Sequence, residues 1–378
     1  MPATDHKTTT PRLLLDVRKM QHNIERMDTR IRGLEAAIRP HVKTCKSIEP
    51  ARRMVREASP GITVSTLAEA EYFFRHGFTD QIYAVGIASG KLDRVAGLIA
   101  EGLTLRIIID HASTSGHVCG RAMRLGCSFP VLLEIDADGQ RGGFAPDDPA
   151  LTLLAQTLER SGCTIAGVLT HMGASYHCRD RACLVEAAER ERRAVVEAAE
   201  ALRRAGFECP IVSAGSTPTA RFVENLDGVT EMRVGTHVFM DLVMAGLGVC
   251  EVDDIAISVL CEVIGHREHS GEFLVDAGWM ALSRDRGTAD QEIDQGYGVV
   301  CDEKGKPIED LIVRATNQEH GIVARRDGGP VPDGLVEIGQ RLRILPNHAC
   351  ATAAQHAGYH LVGTESGDED WWPRVQGW

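Results

Sequence analysis

Lys43 stands just past a short apolar run, in Ala36-Ala37-Ile38-Arg39-Pro40-His41-Val42-Lys43-Thr44-Cys45-Lys46-Ser47. A strand entering a loop would place it there, flanked by the cations Arg39 and His41. A lysine desolvated beside other cations has a lowered pKa and becomes a usable nucleophile or base, the chemistry of a Schiff-base lysine. The plain alternative is a surface Lys-Thr-Cys-Lys turn. A second stretch, Ser213-Ala214-Gly215-Ser216-Thr217-Pro218-Thr219, precedes a helix. Glycine admits close backbone approach and the hydroxyls donate, which suits a phosphate as well as an ordinary helix cap. Gly235 and Thr236 end a later strand and supply the other half of such a site. A lysine at one strand end and a phosphate site at another fit pyridoxal 5′-phosphate (PLP). Arg141, in a Gly-rich loop, is then a candidate for the ring phenolate oxygen or a substrate carboxylate. Tyr176 is a candidate for the pyridine nitrogen, with a rim aromatic as its alternative. A neutral partner there gives a weaker electron sink than a carboxylate.

His348 and Cys350 form a second constellation, in Leu345-Pro346-Asn347-His348-Ala349-Cys350. In extended geometry residues i and i+2 point the same way. Imidazole plus thiolate suits Zn²⁺, and two protein ligands leave positions for water or substrate. His320 in Asn317-Gln318-Glu319-His320-Gly321, Gln318 itself, and Arg284 in Ser283-Arg284-Asp285-Arg286-Gly287-Thr288 are polar-loop candidates for substrate. A surface turn explains each of these at least as well.

The elements that must hold these residues alternate. Apolar, β-branched runs occur at 36–42, 61–65, 82–85, 105–109, 130–135, 165–170, 210–214 and 229–234. Helical patterns lie at 47–58, 67–76, 90–101, 112–125, 149–161, 180–205 and 217–225. Eight strands, most followed by a helix, predict a closed (β/α)8 barrel, whose active site gathers at the C-terminal strand ends. Those ends carry Lys43, Ser65 and Thr66, Asp110, Asp136 to Arg141, His171 and Tyr176, Gly215 to Thr217, and Gly235 to His237. The helix at 180–205 is rich in Glu and Arg, Glu191 included, and reads as a solvated face with i,i+4 pairs. After about residue 250 long helices give way to strands separated by Gly and Asp turns, as in a mostly antiparallel β domain. The expected division is a barrel at 20–248, with 1–19 and 249–378 forming the β domain. Residues 1–10 read as a loose tail.

Composition limits the function classes. The 378 residues carry a formal net charge of −12, which argues against nucleic acid or an anionic membrane as partner. No window approaches the roughly 20 apolar residues of a membrane span. Eleven cysteines, with no CxxC pair and no leader-like N-terminus, read as mostly reduced, buried thiols of a cytoplasmic protein.

Five motifs occur in order: Arg-Pro-His-Val-Lys-Thr-Cys-Lys at 39–46, Gly-Ser-Thr-Pro-Thr at 215–219, Asp-Ala-Gly at 276–278, Gln-Glu-His-Gly at 318–321 and Pro-Asn-His-Ala-Cys at 346–350. Together they resemble the D-serine dehydratase and D-threonine aldolase family, alanine-racemase-like PLP enzymes of fold type III. The resemblance spans nearly the whole chain. It implies Lys43 as the Schiff-base residue, His348 and Cys350 as ligands to a divalent metal (Zn²⁺ or Mn²⁺), and a homodimer. The aldolase branch typically carries His-x-Asp where this chain has His348-Ala349-Cys350, so the thiol points to a dehydratase. The stretch 275–289 and the terminal Gly-Trp point to D-threo-3-hydroxyaspartate as substrate, giving oxaloacetate and ammonia, with D-serine as a second substrate. One departure is His237, where relatives often carry an aromatic. An aldolase giving glycine and an aldehyde, a racemase, and a non-catalytic PLP carrier are the competing expectations.

Overall fold

Local signals set the boundaries of the helices. In the computed structural model, which describes residues 9–364 and 371–378, side-chain caps open most of the long ones. Residues 1–8 of the expected N-terminal tail lie outside the described residues. Strand β1 (Arg12–Asp16) and helix α1 (Val17–Arg32) come first. The alternation then runs β2 (Ala37–Pro40), α2 (Ile48–Met54), β3 (Ile62–Val64), α3 (Leu67–Arg75), β4 (Asp80–Gly86) and α4 (Leu92–Ala100). It continues with β5 (Thr104–Ile109), α5 (Ala112–Leu125), β6 (Pro130–Ile135), α6 (Pro149–Arg160), β7 (Thr164–Thr170) and α7 (Arg181–Arg204). Strand β8 (Ile211–Ala214), α8 (Thr217–Phe222) and β9 (Glu231–Val234) complete it. The Asp148 side chain caps α6, with Pro149 at the first turn, and Asp180 caps α7. Helix α5 ends at Gly126, whose φ of 60° is left-handed.

The chain divides into two compact units. One comprises Glu25–Gly235 with Val375–Trp378, and holds strands β2 to β9 in one parallel sheet of order β2-β9-β8-β7-β6-β5-β4-β3. A parallel bridge between His41 and Thr63, with Val42 N–H donating to the Thr63 carbonyl at 2.9 Å, joins the two ends and closes the barrel. Runs such as Ile107-Ile108-Ile109 and Val131-Leu132-Leu133 are buried because parallel strands are covered on both faces. Several of the buried polar residues form one network. Arg39, 1% exposed, donates through Nε to both Glu231 oxygens at 2.8 Å and through Nη1 to Asp80 at 2.6 Å. Arg106 reaches the same Asp80 oxygen, and Ser213 links Glu231 to Arg233. The expectation that Arg39 lends its charge to Lys43 is therefore corrected: two carboxylates already neutralise it, as a buried guanidinium requires.

The other unit comprises Met1–Ile24 with Thr236–Arg374. Its elements after β1 are α9 (Leu242–Gly246), β10 (Ile257–Arg267), β11 (Glu272–Val275), α10 (Trp279–Leu282), β12 (Gly298–Cys301) and β13 (Pro307–Thr316). They continue with β14 (Gly321–Arg325), β15 (Arg341–Pro346), α11 (Ala349–Ala353), β16 (Gly358–Val362) and β17 (Trp371–Pro373). The sheet order is β11-β14-β13-β12-β15-β10-β1-β16-β17, and an extra β11–β10 pairing closes its first six strands into a ring. Every pairing is antiparallel except β1 with β16. Strand β10 reaches three neighbours because it is long and bulged: residues 257–260 pair with β1, 263–267 with β11, and 259–262 with β15. No helix among the described residues is long and apolar enough to cross a membrane.

The reading of the cysteines as mostly reduced holds except at one place. Cys178 and Cys183 are joined in a disulfide, their Cα atoms 5.5 Å apart. The turn that starts α7 folds the chain back within bridging distance, which the spacing of five does not announce.

Candidate active site

Lys43 is the exposed residue of an otherwise largely buried turn that follows β2 and the His41 bridge. Among the described residues its Nζ takes part in no hydrogen bond or ion pair. Cys45 turns inward, and its buried thiol meets the carbonyls of Val42 and Ser47. Lys46, with φ of 45°, points away from this path and pairs with the buried Glu69 at 3.0 Å. The C-terminal segment of the same unit also grips this loop, Val375 N–H donating to the Lys46 carbonyl at 2.7 Å.

Two histidines face the same end of the barrel. Burial, then the charge of Lys43, Arg233 and the neighbouring His171, hold His41 well below its ordinary pKa. Burial and the Arg141 guanidinium bring His171 down to about 3, against a hydrogen bond from its Nδ1 side to the Gly215 carbonyl at 3.1 Å. Both rings are neutral at pH 7. Lys43, Arg141 and His171 follow β2, β6 and β7, at the C-terminal ends of these parallel strands, and so share one mouth of the barrel. Arg141 is exposed there, and Tyr176 is half-buried with its ring centroid 6.3 Å from that of His171. The loop after β6 is braced by Asp136, which accepts the N–H groups of Asp138 and Gly139, and by Asp138, which accepts Ala174 N–H at 2.7 Å.

The glycines of the two presumptive phosphate turns occupy the ends of adjacent strands, β8 and β9. Gly215 has φ of 126°, and a Cβ there would meet the Arg233 carbonyl oxygen at 2.6 Å. Only glycine lets the strand end pass so closely. A Cβ on Gly235 would meet the His41 carbonyl and the Thr44 hydroxyl at 3.1 Å. Ser216 caps α8 in a reciprocal box with Thr219, so its N–H and hydroxyl are engaged locally. Thr217 opens that helix, and Thr236 is buried at the head of a one-turn 3-10 helix. Of the remaining strand-end residues, Ser65 and Thr66 serve α3: Thr66 accepts Glu69 N–H, and Ser65 N–H donates to the Glu69 carboxylate.

The second group belongs to the other unit. His348 is extended and caps α11, while Cys350 sits in that helix's first turn. Both follow a strand, β15, as expected, but the expectation of extended geometry through Cys350 is corrected: only His348 is extended. A cap residue still meets the second helical residue, and the imidazole hydrogen-bonds the thiol. Nδ1 of His348 bonds the Asp285 carboxylate at 2.7 Å. Asp285 in turn accepts Gly287 N–H at 2.9 Å, and the His348 bond holds its pKa low. Buried Asp241 accepts the N–H groups of Ala349 and Met244, each at 2.9 Å, anchoring the start of α11. Asn347 pins the neighbouring loop through Thr288 and the Gly296 carbonyl. Among the described residues no third His, Cys, Asp or Glu completes a metal cluster. The donor set fits a metal nonetheless: an imidazole and a thiol stand together, and one ring nitrogen is fixed by a carboxylate, the usual support of a metal-bound histidine.

Gln318 and His320 lie exposed in the turn between β13 and β14. That turn docks on α10, whose Trp279 and Met280 N–H groups donate to the Asn317 and Gln318 carbonyls. Gly278 makes the approach possible, since a Cβ would lie 2.3 Å from the Gln318 oxygen. Arg284 stacks over the Trp279 ring at 4.3 Å, and Arg286 pairs with Asp294.

Two residues escaped the sequence reading. Asp285 lay inside a loop valued for its arginines, and nothing local announces a partner 63 positions away. Glu191 was counted with the solvated face of α7, yet it is buried. Its signal was available: it falls on the stripe Leu184, Ala187, Ala188, Glu191, Ala194, Val195, Ala198 that packs inward.

A family model described as alanine racemase, N-terminal domain, matches residues 15–243, and one described as putative serine dehydratase domain matches residues 256–362. D-threo-3-hydroxyaspartate dehydratase of Delftia sp. (strain HT23) is 47% identical over 372 residues, 98% of each chain. D-serine dehydratase of Dictyostelium discoideum is 29% identical, covering 94% of each, and D-threonine aldolase of Arthrobacter sp. is 26% identical over 94% of this chain and 89% of its own. The solved Delftia enzyme superposes with a TM-score of 0.95 over 98% of each chain, at 47% identity. D-threo-3-hydroxyaspartate dehydratase has also been solved as a cysteine-to-alanine mutant in the metal-free form and as a histidine-to-alanine mutant.

Proposed function

The chain belongs to the D-serine dehydratase family of alanine-racemase-like proteins, and from that premise we propose that it is a PLP- and divalent-metal-dependent dehydratase of D-3-hydroxy amino acids. D-threo-3-hydroxyaspartate is the first substrate, yielding oxaloacetate and ammonia, and D-serine the second. The observation that carries the reading is the His348–Cys350 pair braced by Asp285. A racemase or a PLP carrier has no use for such a pair, and an aldolase of this family has a carboxylate at the second position. The relatives support it, since the Delftia protein is a D-threo-3-hydroxyaspartate dehydratase and a dehydratase of that name has been solved metal-free with a cysteine replaced.

When bound, PLP supplies an electron sink for charge at Cα, and a divalent ion such as Zn²⁺ or Mn²⁺ supplies Lewis acidity for the departing β-hydroxyl. Lys43 would hold the cofactor through Nζ, and the same atom would take the Cα proton of the substrate. Neutral His41 and His171 add no positive charge to the mouth. Arg141 is left to bind the ring oxygen or the substrate carboxylate. Tyr176 offers its hydroxyl to the ring nitrogen. Gly215, Ser216, Thr217, Gly235 and Thr236 are assigned to the phosphate. His348 and Cys350 would be the protein ligands of the metal, with Asp285 fixing the imidazole tautomer. Gln318, His320 and Arg284 are substrate-side candidates. Atoms balance: the water expelled with the β-hydroxyl is returned when the product hydrolyses, so one substrate gives one keto acid and one ammonia. A homodimer follows from the same family reading, and light scattering measures it.

Product analysis on D-threo-3-hydroxyaspartate is the test. Ammonia and oxaloacetate in equal amounts are expected. Glycine with glyoxylate would replace this reading by an aldolase.

A further inference from the structure

Glu191 is the one charged residue on the buried stripe of α7. Its carboxylate accepts Met172 N–H at 2.8 Å, the Gly215 N–H and the Thr219 hydroxyl. Met172 leads into the turn that carries Tyr176, and Gly215 opens the turn of Ser216 and Thr217. The two turns meet directly as well, His171 against the Gly215 carbonyl at 3.1 Å and Ser175 Oγ against Ser216 Oγ at 3.4 Å. Helix packing alone does not call for a carboxylate here. An apolar residue would fill the stripe without the cost of burying an ionisable group. What a carboxylate provides is several acceptor sites for donors on two strand ends at once.

We propose that Glu191 is a positioning residue that locks the turns after β7 and β8 together, so that Tyr176 and Gly215-Ser216-Thr217 present one rigid surface to PLP. This rests on the assignment of those residues to the cofactor. Glutamine at 191 would set an amide donor against a backbone donor, breaking at least one bond while preserving volume.

The experiment strips PLP from the full-length wild type, Glu191→Gln and Thr219→Val, then titrates it back. Absorbance and circular dichroism of the bound cofactor are followed, together with the unfolding temperature of each cofactor-free protein. Losing one buried hydrogen bond should raise the PLP Kd of Glu191→Gln by at least about tenfold and weaken the cofactor's circular dichroism. Thr219→Val should shift both the same way by about threefold or more. Wild-type Kd and dichroism in Glu191→Gln, with only the unfolding temperature lowered, would overturn the proposal and leave the cofactor assignment standing. If Glu191→Gln does not fold, an unchanged Kd in Thr219→Val overturns it instead. A wild type that takes up no PLP would overturn both.

Discussion

At the end of β2 the reactive group is unencumbered, whereas at the start of α11 it is held from several sides. Lys43 Nζ has no partner among the described residues, while its loop is fastened through Lys46, Glu69 and Val375. His348 is bonded at its own ring to Asp285 and Cys350, and Asp241 and Asn347 fix the backbone around it. On the proposed function the difference follows from the work. A lysine that must exchange partners and carry a proton needs a free amine on a fixed stem. A metal ligand needs one tautomer and one orientation before the metal arrives.

Breaking each region should give different signatures. Lys43→Ala should reduce ammonia release by at least about a thousandfold and abolish the visible absorbance of lysine-bound cofactor, with metal content unchanged. Retention of that absorbance would remove Lys43 from its role. His348→Ala or Cys350→Ala should do the reverse: cofactor absorbance kept, bound metal lost by elemental analysis, and turnover down by about a hundredfold or more. Asp285→Asn is gentler. It keeps the shape but not the charge, and metal affinity measured by chelator competition should drop about 10- to 100-fold. Unchanged affinity would mean that the His348 tautomer is set elsewhere. The smallest effect concerns pH. His171 titrates near 3 when folded and near 6.5 when unfolded. Between those values the unfolded chain binds a proton the folded one refuses, so its contribution to stability is full above 6.5 and lost as pH falls. The slope is at most about 1.4 kcal/mol per pH unit. Denaturant titrations at pH 7, 5.5 and 4 should show His171→Asn flattening the profile, and a parallel profile would place the ring's neutrality elsewhere.

The alternation of β-branched runs and helices was legible because a parallel sheet buries both faces, so its strands read as unbroken apolar segments. Lys43 was legible because a polar residue just past such a run stands at a strand end. His348 and Cys350 were paired on extended geometry, whereas the structure pairs them across the N-terminal end of α11. What stayed hidden is what depends on distant partners. Arg39 looked like a neighbour of Lys43 and is instead an internal counter-ion to Glu231 and Asp80. Glu191 was masked by a charge-rich helix, although its position on the apolar stripe betrayed it. The Cys178–Cys183 bond needed the turn at the start of α7.

On the proposed function, a metal-dependent expulsion of the β-hydroxyl follows proton removal by Lys43. The most direct measurement is ammonia release from D-threo-3-hydroxyaspartate by the PLP-loaded enzyme, before chelation, after chelation, and after return of Zn²⁺ or Mn²⁺. Release that stops on chelation, resumes with metal, and matches oxaloacetate one for one is the predicted result. Undiminished release after the metal has been stripped would contradict the account.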